Sequence, residues 1–190
     1  GAFERHGLER PEPDSVRRVV GLPLDVAIAR LHPDADSDLN EQLVIGYRDA
    51  FFALRGEGGV EEPLYPGTIE ILEGLAQSGW ILGIATGKGH RGLVLTLEAH
   101  GIKDKFATLQ TADRAQGKPS PDMVLRAMEE TGVRCEETVM IGDTTFDMEM
   151  ARAGGVHAVG VAWGYHDPDE LIAAGAVTVA RTFTDLPAIL

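Results

Sequence analysis

Cysteine is almost missing from this chain. Cys135 is the only one in 190 residues, so no internal disulfide can form, and the usage fits a reducing, cytoplasmic setting. Basic residues are scarce too: 17 Lys and Arg stand against 30 Asp and Glu, a formal net charge of −13. That balance argues against a nucleic-acid surface, because phosphate backbones are held by clustered cations. It leaves room for an anionic small molecule, since a site can be locally positive inside an acidic protein. No apolar run approaches the ~20 residues of a membrane helix, and the opening GAFERHGLER has no signal-peptide core. What is present is an ordinary hydrophobic fraction of 44%, enough for a packed core over a length that suits one domain with an insertion. Nothing in the composition sets an oligomeric state.

Two textures follow one another along the chain. Residues 1–64 read as helical. Leu24, Ala27, Ile28 and Leu31 recur at helical spacing, and LNEQLVIGYRDAFFAL places Leu43, Tyr47, Ala50, Phe51 and Leu54 on one face. Gly56 and the Gly58-Gly59 pair mark the end of that helix. The opening GAFERHGLERP reads as the interior of a helix, with Phe3 and Leu8 as its apolar positions. From residue 65 the pattern changes to short apolar runs at 80–85, 106–111, 138–142, 156–161 and 177–180, alternating with helices. This predicts an α/β fold with a parallel, Rossmann-like sheet covered on both faces, preceded by an α-helical module.

In such sheets, ligands bind beyond the carboxyl ends of the strands. Thr86-Gly87-Lys88 follows the first run, and its hydroxyl and neighbouring N–H groups suit an anion at a helix start. A threonine capping its own helix is the plainer reading. Lys118, in GKPSPD, precedes a helix cap at Ser120 that is bracketed by Pro119 and Pro121, which limits where the ammonium can point; an ammonium so placed suits charge on a transferring phosphoryl group, whereas a lone loop lysine is usually solvated. VMIGDTTFDMEMA sets Asp143 directly after a strand and Asp147 one helical turn later. Paired carboxylates are costly without a cation, and oxygen ligands with room for water suit Mg²⁺. The alternative is that Asp143 caps the helix and Asp147 answers its dipole. Trp163, Tyr165 and His166 could line the same rim, although a loop aromatic cluster is more often packing.

Taken in order, IATGK, GKPSPDM and IGDTTFDMEMA resemble three motifs of the haloacid-dehalogenase-like (HAD) hydrolase superfamily, and most of all its phosphoglycolate-phosphatase-type subgroup. The resemblance implies a helical cap over residues 1–64 and an α/β phosphatase core over 65–190. It implies that Thr86, with Gly87, binds a phosphoryl oxygen, and that Lys118 stabilises the nucleophile and the phosphoryl group. Asp143 would be a Mg²⁺ ligand; Asp147 would bind metal-bound water or hold Lys118 in place. Gly87 stands where the subgroup often has Asn, which separates this chain's substrate from the shared chemistry. The expected activity is Mg²⁺-dependent hydrolysis of a small phosphorylated metabolite through an aspartyl-phosphate.

The superfamily's first motif, an Asp-x-Asp-Gly-Thr run carrying the nucleophile, is absent from this sequence. Asp34-Ala35-Asp36 has no strand before it and is rejected. In the family's sheet order the first strand lies between the runs at 80–85 and 138–142, and losing it would leave two inner edges with unpaired backbone groups. The expectation is therefore that roughly 20–35 upstream residues, about one strand and one helix, supply the nucleophilic Asp. Two alternatives accompany this reading: a phosphosugar mutase of the same superfamily, and a catalytically inactive phosphate- or partner-binding module. A dehalogenase is disfavoured by the metal-type Asp143 and Asp147.

Overall fold

The computed structural model describes residues 1–56 and 62–190; the Gly58-Gly59 pair expected to close a helix lies outside the described residues. The chain divides into two compact units, Gly1–Leu64 and Tyr65–Leu190. Among the described residues, no helix is long and apolar enough to cross a membrane.

The first unit is helical: α1 (Ala2–Arg5), α2 (Pro13–Val19), α3 (Leu24–Leu31) and α4 (Ser37–Gly56). Proline in its first turn suits α2, because that position needs no N–H donor. Before α4, Asp36 accepts the Leu39 N–H at 2.8 Å, so Asp36 serves a helix start and follows no strand. Ala2, Ile28, Leu43 and Val44 form the core, flanked by Phe3, Leu8, Leu24 and Leu39.

One expectation needs correction here. The helix of the opening segment ends at Arg5, and the chain turns through Gly7 at φ +69°, so Leu8 lies beyond it. The apolar face of α4 lies along one side, as its spacing predicts, and is only partly covered. Leu43 is fully buried, but Tyr47 and Leu54 are 49% and 50% exposed. Helix length explains the difference. A 20-residue helix spans about 30 Å, whereas the four residues of α1 and eight of α3 span only about 6 and 12 Å. They cover the first half of α4, and beyond it Tyr47 and Phe51 stack on each other at 6.4 Å.

The second unit runs α5 (Thr68–Gln77), β1 (Gly83–Thr86), α6 (His90–Ala99), β2 (Thr108–Thr111), α7 (Asp122–Thr131), β3 (Val139–Gly142), α8 (Thr145–Ala153), β4 (His157–Val161), α9 (Pro168–Ala174), β5 (Thr178–Ala180) and α10 (Leu186–Ile189). The five expected strands are present and parallel, each starting later than its apolar run. Trp80 and Ile81 remain outside β1 because pairing with β2 begins only where the Ala107 N–H meets the Leu82 carbonyl and Gly83 faces Thr108.

Period-two alternation shows why these runs are apolar throughout. Met140 on β3 and Ala158 on β4 join a core with Met123, Met148, Met150 and Leu171 from the helices. Their neighbours Ile141, Val159 and Val161 face the other way, toward Leu186, Ile71 and Phe183. Both faces of the sheet are thus covered, as a parallel sheet requires.

The strands form two separate sheets, β1–β2 and β3–β4–β5. Between them lies a cavity of about 520 Å³, lined by Ile84 and Ala85 of β1, Val139 and Met140 of β3, and Val124 and Met128 of α7. The inner edges of β1 and β3 thus have no strand partner among the described residues, at the position where the sequence reading leaves a gap.

Candidate active site

The junction of β3 and α8 is built almost entirely from its own residues. Thr144 is the N-cap of α8, and its hydroxyl accepts the Asp147 N–H at 3.4 Å. In return the Asp147 carboxylate accepts the Thr144 N–H at 3.1 Å and its hydroxyl at 2.7 Å. This reciprocal capping box satisfies backbone donors that a helix start leaves open. It also fixes one oxygen of Asp147 and leaves the other for a partner.

That partner is Lys118. Its Nζ lies 2.5 Å from Asp147 Oδ1, with the side chains 7% and 3% exposed. The lysine is therefore not the solvated loop residue of the plainer reading. A buried ion pair is tolerated only when each charge is answered, and both oxygens of Asp147 are. Its geometry holds the ammonium in place, with a partner on each carboxylate oxygen.

Asp143 is held differently. Thr144, not Asp143, caps α8, which corrects the alternative that made Asp143 the cap. The Asp143 Oδ2 accepts the Tyr165 N–H at 3.0 Å, and its carbonyl accepts the His166 N–H at 3.1 Å. Burial pushes the Asp143 carboxyl above its ordinary range and the Asp147 charge pushes the same way; the Tyr165 N–H and Lys118 oppose them. A half-buried carboxylate beside a second one is favoured by an added cation. The residues present fit a Mg²⁺ ion, which takes one or two carboxylates and fills its shell with water and substrate oxygens. Among the described residues, no three His, Cys, Asp or Glu side chains form a ready-made metal cage. Any such ion would thus rest on Asp143 and on ligands from elsewhere.

Two glycines allow this crowding. A Cβ at Gly142 would overlap the Asp147 side chain, and one at Gly164 would overlap Asp143. Neither glycine stood out in the sequence by itself. The signal was their position, one immediately before Asp143 and the other in the WGYH run after β4.

Thr86 ends β1, opposite Thr111 of β2. Its Oγ1 accepts the Lys88 N–H at 3.2 Å, so the hydroxyl keeps its own proton to donate. Two of the neighbouring N–H groups are already engaged within the protein. The Lys88 N–H is taken by Thr86, and the His90 N–H at the start of α6 goes to Asp113, at 3.0 and 3.2 Å. Lys88 Nζ meets the Thr96 hydroxyl at 3.2 Å along α6. Asp113 also accepts the Thr111 hydroxyl at 2.6 Å. Burial pushes its carboxyl up, yet the Thr111 and His90 hydrogen bonds outweigh this and hold it below its ordinary value of 3.8. Gly87 has no left-handed backbone and makes no special turn. Asp113 is a contributor that the sequence reading left out of the site, and His166, weighed there as rim or packing, binds the start of α8. His157 is exposed at the start of β4.

Residues 1–161 match the family model for haloacid dehalogenase-like hydrolases. A relative named "Probable phosphatase IndB" from Dickeya dadantii is 34% identical over 175 residues, covering 90% of this chain and 75% of that protein. A phosphoglycolate phosphatase from Vibrio parahaemolyticus is 30% identical over 190 residues, covering 97% of this chain and 83% of its own. Among solved structures, a hydrolase from Pseudomonas syringae superposes with a TM-score of 0.85 at 27% identity, over 99% of this chain and 86% of that one.

Proposed function

The chain belongs to the haloacid dehalogenase-like hydrolase family, and from that premise we propose that it is a Mg²⁺-dependent phosphatase of a small phosphorylated metabolite. One observation carries this reading: the buried Lys118–Asp147 pair, 2.5 Å apart, beside an Asp143 carboxyl pushed up by burial and by the Asp147 charge. An ion pair held this firmly offers a preorganised positive charge where negative charge grows during phosphoryl transfer.

Each residue then has a role that its contacts allow. Thr86 donates its free hydroxyl proton to a phosphoryl oxygen. Lys118 neutralises charge on the phosphoryl group, and Asp147 keeps the ammonium in position. Asp143 holds Mg²⁺, which when bound would offset charge shared between the enzyme and the phosphate. The nucleophile is an Asp on a strand seated in the slot between β1 and β3. Its carboxylate oxygen bonds to phosphorus as the ester P–O bond breaks and the leaving oxygen takes a proton. Water then cleaves the aspartyl-phosphate, releasing inorganic phosphate and the free carboxylate. The separation of the two sheets and the apolar cavity between them support this placement. The phosphatase names of the relatives favour a phosphoric monoester as substrate, and residues 1–64 would act as the cap that selects it.

A second reading, a phosphate- or partner-binding module without turnover, has one observation in its favour. Both carboxylates at the site are already committed, Asp147 to Lys118 and Thr144, Asp143 to Tyr165, so neither is placed as a nucleophile. Hydrolysis of a generic aryl phosphate, by protein expressed from its complete coding sequence, separates the two. Turnover that requires Mg²⁺ and stops with chelator supports the phosphatase; no turnover with Mg²⁺ present supports the binding module.

A further inference from the structure

The loop after β4 reaches back to the start of α8 through a residue whose side chain has an unusual arrangement of bonds. His166 is 6% exposed. Its Nδ1 accepts the Thr145 N–H at 3.1 Å, so that nitrogen carries no proton and the ring's N–H must sit on Nε2. Nε2 is buried and has no hydrogen-bond partner among the described residues. The ring packs edge-on against Phe146 at 5.5 Å. An unanswered N–H in the interior is unfavourable, so an apolar residue would suit packing alone better. What the ring supplies is the acceptor on its other edge.

That acceptor closes a ring of contacts around Asp143. The His166 N–H binds the Asp143 carbonyl, the Tyr165 N–H binds the Asp143 carboxylate, and the Thr145 N–H binds the imidazole. Thr145 is the first residue of α8, where N–H groups lack helical partners. The capping box fastens Asp147 to Thr144 from within the helix. His166 fastens Asp143 and Thr145 from outside it.

We propose that His166 is a positioning residue for the divalent ion, acting through Nδ1 on the Asp143–Thr145 turn. This rests on the reading of Asp143 as the Mg²⁺ ligand. Groups that orient a metal-binding side chain typically contribute 10–100-fold to metal affinity, and a group acting through the backbone belongs at the lower end of that range.

The test is Mg²⁺ binding followed by calorimetry, without substrate, on protein expressed from its complete coding sequence. His166→Leu fills the ring's space without an acceptor. In His166→Asn, the amide oxygen can stand near the position of Nδ1; in His166→Gln, the acceptor lies farther out. The expected result is about 10-fold weaker binding in His166→Leu and His166→Gln, with His166→Asn within about 3-fold of wild type by the same argument. The kcat of His166→Leu on an aryl phosphate should recover as Mg²⁺ is raised. Wild-type affinity in a folded His166→Leu would overturn the proposal, as would equal weakening in Asn and Leu. If Leu does not fold, the Asn–Gln difference decides, and no difference overturns it. Asp143→Asn is the control for the underlying reading. If the wild type binds Mg²⁺ and Asp143→Asn binds it equally well, Asp143 is not the ligand, and the role of His166 falls with it.

Discussion

Two strand-to-helix junctions in the second unit carry site residues, and they are fastened in opposite ways. From β3 into α8, the chain caps itself: Thr144 and Asp147 satisfy each other, and glycines at 142 and 164 leave room for the carboxylates. From β1 into α6, the helix start is satisfied by Asp113, which follows a different strand. Thr86 keeps its hydroxyl proton because its oxygen accepts only the nearby Lys88 N–H. The first junction should therefore respond sharply and locally to substitution. The second should respond weakly at Thr86's neighbours and more through the β2 loop.

The largest effect is expected at Lys118. Replacing it with Ala leaves Asp147 buried without its cation, a loss of about 3–5 kcal/mol. Where the protein still folds, kcat should fall on the order of 10²-fold or more. Urea unfolding and steady-state hydrolysis would measure both. An unchanged kcat would remove Lys118 from the chemistry.

Gly164→Ala and Gly142→Ala come next. Each adds a methyl where a carboxylate already lies, so a cost of about 1–3 kcal/mol is expected. The former should weaken Mg²⁺ activation through Asp143, the latter the hold on Lys118. Thermal unfolding with and without Mg²⁺ distinguishes the two routes. Asp113→Ala should cost less, about 1 kcal/mol as for a lost helix cap, with a kcat change smaller than that of Lys118→Ala. A larger loss of activity there than at Lys118 would reverse the comparison.

The smallest effect is in acid. The Asp113 carboxyl is held below its ordinary 3.8 in the folded protein, so the unfolded chain binds its proton first as pH drops. Its contribution is complete above that ordinary value and is lost as pH falls through the lower folded value. Asp113→Asn should flatten that part of the stability profile, which equilibrium unfolding between pH 5 and 2 would show (roughly the range over which such carboxylates titrate).

The same contrast explains what could be read from the sequence. The strands were legible because both faces of the sheet are buried, which makes each an uninterrupted apolar run. Asp143 and Asp147 were legible because their spacing within a single junction is the geometry itself. Asp113 was not, nor was the bond that His166 makes, since each acts on a helix start far away in sequence: Asp113 on His90 and His166 on Thr145. Partners of that kind leave no local period or spacing. The exposure of Tyr47 and Leu54 on α4 was not legible for a related reason: helical periodicity reports a face, but not how far neighbouring helices extend along it.

The most direct measurement of the central claim is the Mg²⁺ dependence of aryl-phosphate hydrolysis in wild type and in Asp143→Asn. Saturable activation by Mg²⁺ in the wild type, lost in the variant, is the result expected. Equal turnover by both proteins in the presence of chelator would contradict it.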